Sequence, residues 1–168
     1  QGSAFFTRIL PLRVLHGKTD DGRVASAFRW RAGFQFTLED VRREYPRGVD
    51  ARALVWMWKR VLELLGWVHD GGFSHGALDP THVLVHPRDH GVHVVGWSRA
   101  SRGGGEEDVA TSARLMSELA ASDAPATIRA VLRDARGSAW AVRDELDRAA
   151  HEAFGPSQFH RFTLAGWG

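Results

Sequence analysis

Apolar residues recur at three- and four-residue steps through Leu54, Trp58, Val61, Leu65 and Val68, the period of a helix that buries one stripe. Val55, Leu62 and Trp67 widen that stripe, so the helix predicted over 51–69 is covered on more than one side. Asp50 stands as its N-cap and Gly71-Gly72 as its stop. Ahead of it, 24–30 alternates, with Val24, Ser26, Phe28 and Trp30 on one face, and predicts a strand. Its partner is predicted over 9–15 across the Lys18-Thr19-Asp20-Asp21-Gly22 turn, with Pro11 demoting that strand to an edge. Thr37 predicts the start of a short helix over 38–45, with Glu39 and Asp40 in its first turn and Pro46 and Gly48 beyond its end. Val83–His86 and 92–95 flank 87–91 as a hairpin whose five-residue loop ends at Gly91.

Three further helices are predicted beyond a flexible connector at 101–105. One covers about 106–121, and the next follows Asp123 as N-cap with Pro125 inside its first turn. The last follows Ser138, runs to Phe154 and is stopped by Gly155-Pro156. The aromatic stretch 159–167 reads as irregular chain whose Phe and Trp residues pack back onto the helices. No internal repeat and no low-complexity tract interrupts this order.

Composition narrows the picture without redirecting it. A chain of 168 residues with 43% hydrophobic and 25% charged positions fits one soluble domain, or one lobe of a larger one. Gln1-Gly2-Ser3 reads as the remnant of a cleavable tag, leaving 4–168 as the domain. The apolar runs are too short for a membrane span, and the expected location is the bacterial cytoplasm. Cys is absent, which excludes disulfides and thiolate metal sites. The net charge of +2 gives no strong pull toward phosphate backbones, so no nucleic-acid partner is expected.

The stretch that carries chemistry follows the glycine stop: Phe73-Ser74-His75-Gly76-Ala77-Leu78-Asp79-Pro80-Thr81-His82-Val83-Leu84-Val85, then the hairpin, then Val94-Val95-Gly96-Trp97-Ser98. It resembles the catalytic loop of protein kinases, His-Arg-Asp-Leu-Lys-Pro-x-Asn before an apolar strand, and the Asp-Phe-Gly that ends the next strand. His75, Leu78, Pro80, the strand from Val83 and the hairpin spacing carry the likeness, which covers 24–121 and more weakly the rest. The resemblance implies an α+β, mostly helical fold: the C-terminal lobe of a kinase, a β-hairpin at the former catalytic cleft and a two-stranded remnant of the N-terminal lobe. It makes 31–33 the interlobe hinge and gives Asp108 the structural task of bracing the catalytic-loop backbone.

The same likeness removes the activity. The catalytic base falls on Ala77, the phosphate-contacting lysine on Asp79, and the metal-binding asparagine on His82. Gly96-Trp97-Ser98 stands where Asp-Phe-Gly would, so no carboxylate remains at either magnesium position. Loss of one positioned base costs roughly 10²–10⁴ in rate, and loss of the metal ligands removes most of the electrostatic stabilisation as well. Too little chain precedes the hinge for a glycine-rich loop, and Lys18 and Lys59, the whole lysine complement, lie in a turn and a helix. The stretch from Ser98 to Asp108 is too short for an activation segment.

The resemblance therefore implies a catalytically inactive, pseudokinase-type module that scaffolds or regulates through protein contact. Its partner, or a second copy, is expected on an exposed apolar face where an N-terminal lobe would dock. No cofactor and no metal is expected. Two alternatives remain: a regulatory domain whose cleft keeps a nucleotide or small ligand, with Arg29, Arg31 and Arg99 near an anion, and an enzyme using His75, Asp79 and His82 as acid–base groups. A metal on those last three is disfavoured because Pro80 and the following strand point two of them apart. His75 is expected to bond backbone instead. His86, His90 and His93 read as incidental histidines on a solvated hairpin, Trp56, Trp58 and Trp67 as core, and Trp97 as a filler of the space a nucleotide or metal takes in an active relative.

Overall fold

A computed structural model describes residues 13–166, and the first of these form a ribbon whose residues are exposed. Strands β1 (Arg13–Lys18) and β2 (Val24–Phe28) pair antiparallel, with His16 opposite Ser26 and Lys18 opposite Val24, around a turn closed by Gly22 at φ +80°. The portion of the predicted first strand before Arg13, the leading tripeptide and Trp167 lie outside the described residues. β2 stops at Phe28, short of the predicted Trp30, and every residue of both strands is exposed.

The hydrophobic pattern becomes a core from Phe34 onward. β3 (Phe36–Thr37) leads directly into α1 (Leu38–Glu44). Thr37 Oγ1 accepts from Asp40 N–H at 3.2 Å while the Asp40 carboxylate accepts from Thr37 N–H at 2.8 Å, a reciprocal cap that fixes where the helix starts. α2 (Ala51–Asp70) is the central element; Asp50 caps it by accepting from Arg52 N–H at 2.8 Å. Leu54, Trp58, Val61 and Leu65 are all essentially inaccessible, as their spacing requires. Trp56 is also buried, whereas Trp67, expected in the core, is 40% exposed near the end of the helix.

β4 (Phe73–Ser74) follows, then β5 (Val83–His86) and β6 (Gly91–Val94). β3, β5 and β6 form a three-stranded antiparallel sheet in that order, with β6 against α2. His86 pairs with Gly91, so the loop is 87–90 and Gly91 belongs to the strand. His90, not Gly91, takes the left-handed conformation at the end of the loop, φ +50°. Gly91 is needed for a different reason: a Cβ there would stand 2.8 Å from Phe34 Cζ. His86 and His93 are buried rather than solvated, 5% and 4% exposed, because Phe34 packs against both rings at 5.3 and 4.2 Å between centroids.

The expected connector at 101–105 is partly structured. β7 (Ser101–Arg102) pairs antiparallel with β4, and Gly103 N–H donates to the Gly72 carbonyl at 3.1 Å. α3 (Gly105–Leu119) ends two residues before the predicted 121, because the chain turns extended at Ala120 to bridge Val49. α4 (Ala126–Asp134) is capped by Pro125 rather than Asp123: Pro125 sits at ψ 143° and its carbonyl accepts from Arg129 N–H at 3.0 Å. α5 (Ala139–Phe154) keeps its predicted bounds.

α2 packs on α3 and α5, and α4 closes against α5. The tail covers the core with Phe162 and Leu164, and Tyr45 stacks on Phe162 while donating to the Thr163 carbonyl at 2.6 Å. Phe159, expected to pack onto the helices, is instead 71% exposed. Among the described residues the fold is thus α+β, with five helices and small antiparallel sheets, and no helix is long and apolar enough to cross a membrane.

Candidate functional site

The loop from His75 to His82 lies between β4 and β5, and its backbone is pinned from two sides. The first pin is Asp108, 2% exposed in the first turn of α3. Its Oδ2 accepts from His75 N–H at 2.6 Å and its Oδ1 from Gly76 N–H at 2.9 Å. His69, in the last turn of α2, bonds the same carboxylate at 3.0 Å. Burial would raise the Asp108 carboxyl, but hydrogen bonds from His69, Gly76 and His75 and the charge of His69 outweigh it and hold the group below its ordinary range. In the sequence His69 counts only as part of the histidine-glycine ending, 69–72, that the long helix shares with the kinase pattern, with no partner assigned; Gly105 makes room for it, since a Cβ at 105 would meet the ring at 2.8 Å.

The second pin is the histidine pair within the loop. His75 is fully buried; its Nε2 donates to the Val95 carbonyl at 2.8 Å and its Nδ1 accepts from Ala77 N–H at 3.2 Å. Those partners assign the neutral Nε2–H tautomer. His82 Nδ1 donates to the Ala77 carbonyl at 2.7 Å. The peptide groups on both sides of Ala77 are therefore held, one by each histidine. Asp79 accepts from Thr81 N–H at 2.9 Å and from its hydroxyl at 2.7 Å, which lowers its carboxyl and starts the turn Pro80–His82.

Gly96 and His82 form one packing unit. Gly96 sits at φ +80°, and a Cβ there would lie 2.7 Å from the His82 ring. Gly96→Ala is expected to cost about 2–4 kcal/mol from left-handed strain and overpacking together. In a His82→Ala background the cost should fall to about 1–2 kcal/mol, the conformational part alone. Denaturant titration of the four proteins checks this; equal costs in both backgrounds would show that the ring is not the obstacle.

Trp97 is half-buried, edge-on to His75 at 4.5 Å, and donates from Nε1 to the Val94 carbonyl at 2.9 Å; Ser98 is exposed in the turn Trp97–Arg99. Arg31 bonds His93 at 3.2 Å and lies over the Phe34 ring, while Arg29 and Arg99 are exposed. His75, Asp79 and His82 are each committed to neighbouring polar groups, and among the described residues no group of three metal-ligating side chains converges.

Burial pushes His75 down, against the Val95 hydrogen bond and the Asp108 charge that favour its proton, with His82 adding a small push in the same direction. A folded state that refuses a proton its unfolded chain accepts loses stability as pH falls below the ordinary histidine value of about 6.5. Asp108 adds a second loss: its depressed carboxyl stabilises above the ordinary 3.8 and stops doing so as pH falls through its folded value. The melting temperature should therefore decline below about pH 6.5 and fall faster below about pH 4. An imidazole NMR titration of His75 at or above the ordinary value would contradict this.

No protein-family model matches the chain, and no curated protein matches it.

Proposed function

We propose that this chain is a kinase-like module without phosphotransfer that works through protein contact. The observation that carries the reading is the pinned loop: Asp108 holds the backbone at His75 and Gly76 and the Val95 carbonyl holds the His75 ring, as a catalytic loop must be held, while the residues at the working positions are Ala77, Asp79, His82 and Gly96. Asp79 and His82 are turned to structural hydrogen bonds, and the His82 ring takes the space that a carboxylate-bearing side chain at 96 would need. In this reading β1 and β2 are the remnant of the other lobe. Val14, Leu15, Val24 and Phe28 are exposed there, and Trp30 just beyond is 65% exposed. A two-stranded ribbon is marginal alone, and its edges, unpaired among the described residues, suit a partner or a second copy.

The test is an ATP incubation with magnesium or manganese, read for phosphate on the chain and on a generic acceptor protein, beside light scattering of the same sample. No transfer is expected, together with either self-association or a Val24→Lys, Phe28→Lys variant that becomes more soluble at unchanged melting temperature. Transfer abolished by His75→Ala or His82→Ala would overturn the loss of catalysis. A monomeric chain indifferent to the hairpin variant would overturn the contact role.

A further inference from the structure

The ribbon of β1 and β2 has two unlike faces. His16 Nδ1 and Ser26 Oγ lie 2.9 Å apart on one of them, and the register sets Lys18 against Val24 on that same side. The irregularity between Arg13 and Leu15 brings Arg13 back to this side, opposite Phe28. The other face pairs Leu15 with Ala27 and Gly17 with Ala25. β1 thus carries a basic row on one side and, on the other, Leu15, 67% exposed among small neighbours.

Charge is segregated to this segment. Five of the chain's 22 basic residues and two of its 20 acidic ones lie in 13–31, a net +3, so the remainder of the chain totals −1. Both carboxylates of the segment sit at the tip of the hairpin, where Asp21 pairs with Arg23 at 2.5 Å and accepts from the Thr19 hydroxyl. Arg13 and Lys18 are exposed and have no acidic partner among the described residues. The outer edge of β1 is likewise unpaired among them.

These features choose between partners. A hairpin that enters a DNA groove or a bilayer tip first presents Asp20 and Asp21 to phosphates, and a bilayer also leaves an open strand edge without hydrogen bonds. A second copy paired antiparallel about a two-fold axis sets His16 or Lys18 opposite itself or the other, and like charges directly opposite destabilise a strand pair. A basic row by itself guards an edge against such pairing, but a guard gives no reason for an exposed Leu15 on the opposite face.

We propose that the outer edge of β1 takes an extended acidic segment of another protein, in which carboxylates alternate with apolar residues. The segment's backbone pairs with the edge. Its carboxylate-bearing residues stand beside Arg13, His16 and Lys18, with Cβ atoms about 5 Å apart, and its apolar residues cover Leu15 next to Ala27. The assignment rests on the contact role proposed above and deepens it, choosing a partner over a second copy and fixing that partner's chemistry.

The experiment titrates the full chain with a capped peptide of alternating Val and Glu, its counterpart with Lys for Glu, and a peptide of the same Val and Glu content in two blocks. Backbone amide resonances report the site. Saturable one-to-one binding of the alternating Val–Glu peptide is expected, with the shifts centred on β1 and each control weaker by about tenfold or more. Arg13→Glu combined with Lys18→Glu should weaken that peptide by about tenfold and strengthen the lysine counterpart, and Leu15→Lys should weaken it by about fivefold. These positions are exposed, so the melting temperature should stay within a few degrees. No saturation by about 5 mM, equal binding of either control, or binding indifferent to the charge-reversed variant overturns the proposal. So does tighter binding of phosphatidylserine-containing vesicles or of a short DNA duplex than of the acidic peptide. Equal binding of all three peptides that is lost in the Val24→Lys, Phe28→Lys variant removes the acidic partner and leaves the contact role standing. The contact role fails separately, through a monomeric chain indifferent to that hairpin variant.

Discussion

Asp108→Ala is expected to remove about 3–5 kcal/mol of stability, among the larger effects available to a single substitution in this chain. The carboxylate serves three donors at once, His75 N–H, Gly76 N–H and the His69 ring, from a position 2% exposed. Deleting it strands the N–H of fully buried His75, worth about 1–3 kcal/mol when unpaired, leaves the N–H of exposed Gly76 to water at smaller cost, and leaves the imidazole without its acceptor. Asp108→Asn keeps the shape and one acceptor oxygen but turns an amide toward the remaining donors, so it should fall between wild type and alanine. Urea melts give the total, and hydrogen exchange locates it: the His75 and Gly76 amides should lose protection first. His69→Ala should cost less, because the carboxylate keeps both backbone partners. A loss below about 1 kcal/mol for Asp108→Ala would mean that the loop holds its own shape and that the Val95 and His82 contacts suffice.

The pattern of this site was legible in part. His75 was read as a backbone-bonding histidine through the kinase likeness, and its two hydrogen bonds are of that kind. Asp108 was singled out only through a likeness at distant positions; no local period marks a carboxylate that reaches across to another loop. The bond from His69 to Asp108 was not legible for the same reason: His69 entered only as part of the helix ending shared with the kinase pattern, and a histidine in the last turn of a helix otherwise reads as a favourable charge on the dipole. The helices were legible where period and cap agree, as at Thr37, Asp50 and Ser138. Boundaries failed where tertiary contact overrode local signals, as at Ala120, drawn into a bridge with Val49.

The histidines of the hairpin show what a linear reading cannot supply. Alternation put His86 and His93 on strands but could not say that Phe34, from far upstream, would cover them. Gly91 looked like a turn glycine and is a packing glycine, while His90 carries the turn's positive φ and folds its ring onto Trp56. Trp97 and the exposed ribbon at 13–28 answer to the same point from the other side. Trp97 packs partly against the core while Val14, Leu15, Val24 and Phe28 of the ribbon stay exposed, so what lies beside each in space decides whether its apolar surface is spent inside the fold or left for another molecule.

Trp58→Ala should be the most damaging change in the helical core, costing about 3–5 kcal/mol. Trp58 is fully buried at the middle of α2, where its Nε1 donates to Ser112 Oγ at 3.0 Å and that hydroxyl donates on to the Val109 carbonyl at 2.8 Å. The indole thus does two things: it fills the space between α2 and α3, and it supplies the donor that fixes the Ser112 rotamer. Alanine forfeits both, whereas Trp58→Phe keeps most of the volume and loses the donor, for about 1–2 kcal/mol. At about 2–4 °C per kcal/mol for a chain of this length, the alanine variant should melt about 6–20 °C lower and the phenylalanine variant about 2–8 °C lower. Because α3 also carries Asp108, loosening the α2–α3 contact should reach the loop. Exchange of the His75 and Gly76 amides should quicken in Trp58→Ala more than global stability alone requires. If those amides follow only the global unfolding free energy, the helix pair and the loop are a single cooperative unit, and the loop has no local opening for a partner to exploit.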